Sequence, residues 1–241
     1  MKLSCLPVVC SALWLAAPIN GQTAALATDQ MSLQIIQTEV PSFPLQLNNS
    51  LVMKGDATVA IHVDRDGQLT DCLVTGYSRK EFANTAVATL KAWRYEPPRV
   101  NGVSWASVQE VQFDFSRTGV VVSISGLDAF MSEVDQITQG KYTYRFRSPR
   151  ELDRILTPVH VVSPVSPTLI SGEKKRTVAV DFYIDEEGLV RLPSVSRADV
   201  GTVCAACALD AVKQWRFEPP LYRGRPALVY VRQEFKFISA L

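Results

Sequence analysis

The chain has 241 residues, of which 47% are hydrophobic and 20% are charged. This is the composition of a globular protein with enough apolar residues to form a core, and it excludes a disordered chain. The formal net charge of +1 gives no general attraction to nucleic acid or to an anionic membrane, so neither is expected as a partner.

Residues 1–27 have the features of a secretory signal peptide. Lys2 supplies the positive charge, an almost wholly apolar run follows, and residues 25–27 read Ala-Leu-Ala, a typical cleavage site. The apolar run is short for a membrane span. We therefore expect export to the periplasm, with an uncleaved anchor as the alternative, and both interpretations place the rest of the chain outside the cytoplasm.

The next elements predict a small folded unit. Residues 58–69 alternate apolar and polar side chains and include an Asp-Gly pair, the pattern of a strand that enters a hairpin turn. Residues 81–92 carry apolar side chains three and four positions apart, which predicts a helix with one buried stripe. Pro97 and Pro98 prevent that helix from continuing, and the alternation in residues 108–115 predicts a last strand.

A second copy of this pattern follows. Residues 85–98 read TAVATLKAWRYEPP, and residues 207–220 read CALDAVKQWRFEPP. The upstream strand-turn pattern also returns, and a second helix is expected over residues 202–214. Trp93 and Trp215 occupy the same place in the two copies, so we expect each to be a core residue that packs its helix on its sheet.

The predicted fold class is α+β. It consists of two repeated units, each a small antiparallel sheet with one helix packed on it, in the order strand-strand-helix-strand. After the signal peptide we divide the chain into three parts: residues 28–118 for the first unit, 119–150 for a structured connector and 151–241 for the second unit. Within the connector, residues 120–124 and 142–146 predict extra strands, and residues 127–137 predict a short helix.

The repeated motif resembles a known family. W-R-aromatic-E-P-P after a helix, an upstream hairpin of the form I-D-x-x-G and a preceding P-x-aromatic-P segment are similar to the C-terminal domain of the bacterial energy transducer TonB. The motif stands at residues 93–98 and 215–220, and residues 41–44 read PSFP. The corresponding segment of the second unit, residues 164–167, reads PVSP and lacks the aromatic residue.

The resemblance implies a non-enzymatic module that binds a segment of a TonB-dependent outer-membrane receptor as an added strand. In this mode, backbone hydrogen bonds along an exposed sheet edge supply affinity, and alternate side chains supply selectivity. We expect the last strand of each unit to be that edge, and the first unit to carry the partner because it keeps the full Pro-x-Phe-Pro segment. The expected contact residues are Val108, Glu110, Gln112 and Asp114 in the first unit and Tyr230, Arg232, Glu234 and Lys236 in the second.

Two features of the energised family members are missing from the sequence. Residues 1–27 contain no histidine to engage a proton-driven motor, and no long proline- and lysine-rich spacer follows them. We therefore expect an adaptor or a receptor-binding accessory protein without its own motor-coupling membrane helix. A self-associating envelope protein, in which sheet edges pair in a homodimer, is one alternative.

The main enzymatic alternative rests on Cys204 and Cys207, a C-x-x-C pair at the start of the second predicted helix. Because a helix N-terminus lowers the pKa of a thiol, the pair is a candidate for thiol-disulfide chemistry, for a structural disulfide or for two buried thiols. The two histidines, His62 and His160, lie beside no acidic or cysteine cluster, and no nucleophile, phosphate-loop or metalloprotease motif occurs. We expect no cofactor and no metal site.

Overall fold

The structure is a computed structural model that describes residues 32–126, 142–165, 176–198 and 202–237. The predicted signal peptide at residues 1–27 and the predicted connector helix at residues 127–137 lie outside them. Over its described part, the chain forms sixteen strands and two helices, arranged as two similar sheet-and-helix units. The predicted α+β fold class is confirmed. Neither described helix is long and apolar enough to cross a membrane.

The first unit is built on a five-stranded antiparallel sheet. Its elements in chain order are β1 (Gln34–Gln37), β2 (Lys54–Val63), β3 (Leu69–Tyr77), α1 (Lys80–Ala92), β4 (Arg94–Glu96), β5 (Arg99–Val100), β6 (Val103–Ser104), β7 (Ser107–Ser116) and β8 (Gly119–Ser125). With β9 (Tyr144–Arg145) from the connector, the order of the sheet is β8-β7-β2-β3-β9. Two smaller pairs, β1 with β4 and β5 with β6, complete the unit.

The second unit repeats this order of elements on a three-stranded sheet. Its elements are β10 (Pro158–His160), β11 (Arg176–Ile184), β12 (Val190–Ala198), α2 (Thr202–Val212), β13 (Arg216–Phe217), β14 (Leu221–Tyr222), β15 (Arg225–Pro226) and β16 (Val229–Phe237). The sheet has the order β12-β11-β16, while β10 pairs with β13 and β14 with β15. Both helices agree with their predicted ranges to within two residues.

The two tryptophans make the same contacts in the two units. Trp93 donates its indole N–H to the carbonyl oxygen of Glu39 at 2.9 Å, and Trp215 donates its own to Val162 at 2.8 Å. Both side chains are buried in the core between helix and sheet. The predicted core role of both residues is confirmed.

The hairpin turns of the two units are held by the same hydrogen bonds. One carboxylate oxygen of Asp64 accepts two backbone N–H groups of the first turn, and Asp185 does the same in the second. Gly67 and Gly188 close these turns with φ angles of 79° and 84°. A Cβ at either position would lie 2.5 Å or 2.0 Å from a backbone carbonyl oxygen of the strand after the helix. The Asp-x-x-Gly spacing is therefore a requirement of the turn.

Each helix packs on one face of its own sheet. In the first unit Phe82 and Leu90 of α1 meet Val59, Val111 and Phe113 of the sheet, and all five are fully buried. The corresponding buried side chains of the second unit are Val178, Val180, Phe182, Ile184, Ala208 and Val212. These two cores account for the apolar stripe of each helix.

The opposite faces of the two sheets pack against each other. Tyr183 of β11 is fully buried in one cluster with Ala60 of β2, Leu192 of β12, Tyr230 of β16 and Phe146 of the connector. The molecule therefore has four layers in the order helix, sheet, sheet, helix. Because both faces of their central strands are buried, β2 and β11 contain the nearly continuous apolar runs ATVAIHV and VAVDFYI.

The connector joins the two sheets. Its strand β9 pairs with β3, and Phe146 then donates its backbone N–H to the carbonyl oxygen of Thr75 at 2.8 Å. Arg147 reaches the start of β16, where it donates to Leu228 at 2.8 Å and accepts from Tyr230 at 3.0 Å. The extra strands predicted at residues 120–124 and 142–146 are confirmed as β8 and, in shorter form, as β9.

Candidate partner-binding edge

The last strand of the first unit is not an edge of its sheet. β7 pairs with β2 along its whole length, and β8 pairs with its other side from Glu110 to Ser116. The expectation that β7 is an exposed edge is therefore wrong, because residues 119–125 fold back on it as a hairpin. A partner strand therefore finds no free β7 backbone over residues 110–116, so the first unit cannot bind it by strand addition there.

The residues expected to contact a partner on β7 lie on the face that is turned away from α1. Val108 packs against the cluster between the sheets, and Glu110 is only 1% exposed. The side-chain amide of Gln112 donates to the carboxylate of Asp114 at 3.1 Å, and both residues are partly buried. Val108 and Glu110 thus belong to the contact between the two units.

Glu110 is a carboxyl group buried between the two units. Its oxygens accept hydrogen bonds from the hydroxyl groups of Thr75 and of Tyr183, the latter at 3.3 Å and from the second unit. No lysine or arginine of the described chain forms an ion pair with it. Burial raises the pKa of Glu110 to about 8, against the smaller opposing effect of the two hydroxyl groups. The carboxyl group is therefore largely protonated at neutral pH.

The last strand of the second unit has one open side in the described chain. β16 pairs with β11 in unbroken register, and among the described residues Arg147 bonds to its other side, at Leu228 and Tyr230. Since the N–H of Tyr230 points away from β11, and backbone direction alternates along an antiparallel strand, the N–H groups of Glu234 and Lys236 point away as well. We call this side of β16, over residues 233–237, the open edge.

The side chains beside the open edge form a charged row. The guanidinium group of Arg232 binds both carboxylate oxygens of the buried Asp181, at 2.7 and 2.8 Å. Glu234 and Lys236 are exposed, while Tyr230 is buried in the cluster between the sheets. Of the four residues predicted on this strand, Glu234 and Lys236 thus lie on the open edge, Arg232 lies just before it, and Tyr230 anchors the start of the strand.

The other outer strand of the second sheet is less suited to accept a partner. The pairing of β12 with β11 is interrupted twice, and one interruption lies at Leu192 and Pro193. Leu192 has a positive φ of 49°, which turns its side chain into the cluster between the sheets. Pro193 has no N–H to donate. Bulges and proline are the usual means by which a sheet edge is protected from strand addition.

The comparison with known families agrees with the repeated geometry of the two units. The profile of the family described as the Gram-negative bacterial TonB protein C-terminal matches residues 40–116 and 173–238, more than half of the chain. The chain belongs to this family. No curated protein is significantly similar to the chain. The TonB C-terminal family comprises protein-interaction modules of the cell envelope and is not an enzyme family.

Strand β8, which pairs with β7, lies outside the residues that match the TonB C-terminal family. The first match ends at residue 116, which is the last residue of β7, and the second begins at residue 173. β8 and β9 lie between the two matches. In the first unit β8 pairs with the outer side of the last strand, whereas no described strand pairs with that side of β16 in the second unit.

The cysteines do not form the disulfide that was one expectation for Cys204 and Cys207. Both are free thiols, as is Cys72. Cys204 is 2% exposed and packs within the second core, so its sulfur is not accessible to a substrate. Burial raises the pKa of the Cys72 thiol to about 11. No group of three or more metal-ligating side chains occurs within the four described stretches of the chain.

The sequence did not reveal two charged features of the molecule. One is the buried Glu110, for which the apolar run on both faces of β2 was an available sign that a second layer covers the sheet. The other is a basic pocket that combines Arg145 and Arg147 of the connector with Arg223 and Arg225 of the second unit. These arginines are distant in sequence, and the contacts of Arg147 with β16 and of Asp153 with the hairpin bring them together.

Proposed function

We propose that the protein binds an envelope protein in the periplasm, such as a TonB-dependent outer-membrane receptor, by adding a strand of that partner to the open edge of β16. The observation that carries the proposal is the difference between the two last strands. The backbone of β7 is paired on both sides over residues 110–116, while no described strand pairs with the second side of β16 over residues 233–237.

The backbone of β16 supplies most of the affinity in this proposal. Glu234 and Lys236 each offer one N–H and one C=O to an added strand, so about four hydrogen bonds form, each with a net worth of roughly 0.5–1.5 kcal/mol. Their side chains contribute selectivity for the residues of the partner. Arg147 fixes the end of the site, because it already bonds to Tyr230.

The proposal also sets the stoichiometry. If the partner adds its strand to β16 alone, and not to β8, which is the outer strand of the first sheet, we expect one partner segment per chain, although the chain contains two family units. The complex is thus expected to contain equal numbers of both proteins. A complex with two partner segments per chain would show that a second edge is used.

The test uses a proline and an alanine at the same position. Glu234→Pro removes an N–H that points away from β11, so it should abolish capture of the partner without breaking the sheet. Glu234→Ala removes the same carboxylate, keeps the N–H and should capture the partner nearly as well as the parent. The measurement is the set of proteins retained from envelope extracts by the immobilised variants, with circular dichroism to establish that each is folded.

Two outcomes would reject the proposal. If folded Glu234→Pro retains the same proteins as the parent, strand addition at β16 is not the binding mode. If the proline instead changes the chain from dimer to monomer in sedimentation and no envelope protein is retained by the parent, the open edge serves self-association.

A further inference from the structure

A basic pocket of about 490 Å³ lies between the connector and the hairpin of β14 and β15. Four arginines line it, namely Arg145, Arg147, Arg223 and Arg225, together with the ring of Tyr222. The guanidinium carbon of Arg147 lies 4.0 Å from the centre of that ring, and that of Arg223 lies 5.1 Å away. We call this site the arginine pocket. The ring of Tyr222 holds the guanidinium groups of Arg147 and Arg223 in place.

The pocket has more positive charge than its carboxylates neutralise. Glu151 lies 2.7 Å from the guanidinium group of Arg145 and 3.4 Å from that of Arg147, so one carboxylate serves two arginines. Among the described residues, no carboxylate forms an ion pair with the side chain of Arg223 or Arg225. Both of these side chains are exposed, whereas those of Arg145 and Arg147 are 24% and 19% exposed.

The nearby Asp153 serves the backbone of the hairpin. Its two carboxylate oxygens accept the backbone N–H groups of Arg223 and Gly224, at 2.8 and 2.7 Å. These bonds fix the turn and lower the pKa of Asp153. The turn is thus stabilised by Asp153, and the arginine side chains that flank it are not required to hold it.

The equivalent hairpin of the first unit, formed by β5 and β6, has no arginine at the positions of Arg223 and Arg225. Asn101 and Arg223 occupy the equivalent turn position, and both have a φ of 52°. Asparagine tolerates this left-handed conformation better than most residues, so arginine is the less favourable choice for the turn itself. The first unit also has Val103 where the second has Arg225. At these two positions, arginine therefore occurs only in the copy of the hairpin that lies beside the connector arginines.

We propose that the arginine pocket binds a phosphate group that carries two negative charges, such as a phosphate monoester. Planar guanidinium groups bind phosphate oxygens in pairs, and several of them share one dianion more readily than they share one carboxylate. The volume leaves room for a small group attached to the phosphate. This proposal is independent of strand addition at β16, because it requires no free backbone.

The phosphate has two sources that share this chemistry, a free small molecule and a lipid headgroup. The first arm of the experiment titrates the full chain with glycerol phosphate by calorimetry. The second measures sedimentation of the chain with vesicles of phosphatidylcholine, with and without phosphatidate. We expect saturable binding in at least one arm, stronger at pH 7.5 than at pH 5.5, since a phosphate monoester gains its second charge near about pH 6.

The variant Arg223→Asn/Arg225→Val restores the residues of the first unit and keeps the turn. We expect it to weaken phosphate binding by about tenfold or more, because charge-assisted hydrogen bonds are lost. The matched control Lys91→Gln/Arg94→Gln removes two exposed positive charges from the first unit and should bind like the parent. Should the double variant unfold in circular dichroism, Arg225→Val alone gives the same comparison outside the turn.

Three results would overturn the proposal. The first is the absence of binding in both arms, and the second is equal binding by the parent and the arginine variant. The third is binding of a polyglutamate peptide without binding of either phosphate probe, which would make the pocket a site for acidic protein segments. None of these results affects capture of a strand at β16, so this proposal and the proposed function can fail separately.

Discussion

The two units share one fold and differ in the surroundings of their last strand. β7 and β16 hold equivalent positions after the repeated motif, and each pairs with the central strand of its sheet. β8 then covers β7, while no described strand covers the far end of β16. The difference lies in the connector and not in the repeat. Whether a described strand pairs with the outer side of the last strand of a unit is therefore decided by the chain outside the repeat.

A second difference lies at one register position on the faces that meet. In the second unit the carboxylate of Asp181 is opposite Arg232, and the two form a bidentate ion pair. At the equivalent position in the first unit, Ala60 is opposite Glu110, whose carboxyl group has only hydroxyl partners. The second unit buries a neutralised charge, whereas the first buries an acid that is stable in its protonated form.

The largest expected effect tests whether the two units fold independently. The sequence alone suggests independence, since tandem units with a modest interface unfold separately. The shared cluster around Tyr183 instead predicts coupled unfolding. We expect Trp93→Ala and Trp215→Ala each to lower the free energy of unfolding by about 3–5 kcal/mol, and to shift one common transition in calorimetry. Two transitions, with only the mutated unit shifted, would show that the contact between the sheets is weak.

The next effect concerns the pH dependence of stability through Glu110. Its pKa is raised from about 4.5 to about 8 in the folded chain, so the folded state holds this proton when the unfolded state has released it. The contribution of the protonated Glu110 to the free energy of unfolding is full below pH 4.5 and is lost as the pH rises to about 8. Over this range the free energy of unfolding falls by no more than about 1.4 kcal/mol per pH unit. Glu110→Gln keeps the shape of the side chain and should remove this decline.

The measurement for Glu110 is urea unfolding of parent and variant from pH 4.5 to 9. Other groups titrate in both chains, so the difference between the two free energies isolates Glu110. We expect Glu110→Gln to be the more stable chain at pH 8 and to lose this advantage towards pH 4.5. A difference that does not change with pH would mean that Glu110 is ionised in the folded protein throughout.

The smallest expected effect comes from an ion pair between the units. Arg191 of β12 binds both carboxylate oxygens of Asp71 on β3, at 2.6 and 3.2 Å, with both side chains about one third exposed. Solvent screens such a pair, so Asp71→Asn should cost no more than about 1 kcal/mol of the free energy of unfolding. Chemical denaturation in low salt and in high salt checks this, and the cost should shrink in high salt. If Asp71→Asn instead lowered the free energy of unfolding by several kcal/mol, this ion pair would be a main source of stability for the contact between the two units.

The repeat, both helices and the turn glycines were predictable from sequence, because short-range patterns determine them. Gly67 is an example, since the Asp-x-x-Gly spacing defines a local turn whatever surrounds it. The apolar run of β2 indicates that a layer covers the sheet, but which layer it is was not predictable, because Ala60 and Tyr183 carry no local sign of each other. The sequence predicted β8 only as a strand at residues 120–124. Its pairing with β7 was not predictable, because it depends on the arrangement of the whole sheet. The arginine pocket likewise depends on where the connector ends.

The central claim, that β16 is the binding edge, is tested most directly by hydrogen exchange at its backbone amides. In the free protein, the amides of Glu234 and Lys236 should exchange quickly, while those of Gln233 and Phe235, which point towards β11, should exchange slowly. With a bound partner, the account predicts that the amides of Glu234 and Lys236 become slow and those of Gln233 and Phe235 stay as they were. If the amides of Glu234 and Lys236 remain fast while protection appears on β8 or elsewhere, the partner does not add a strand to β16.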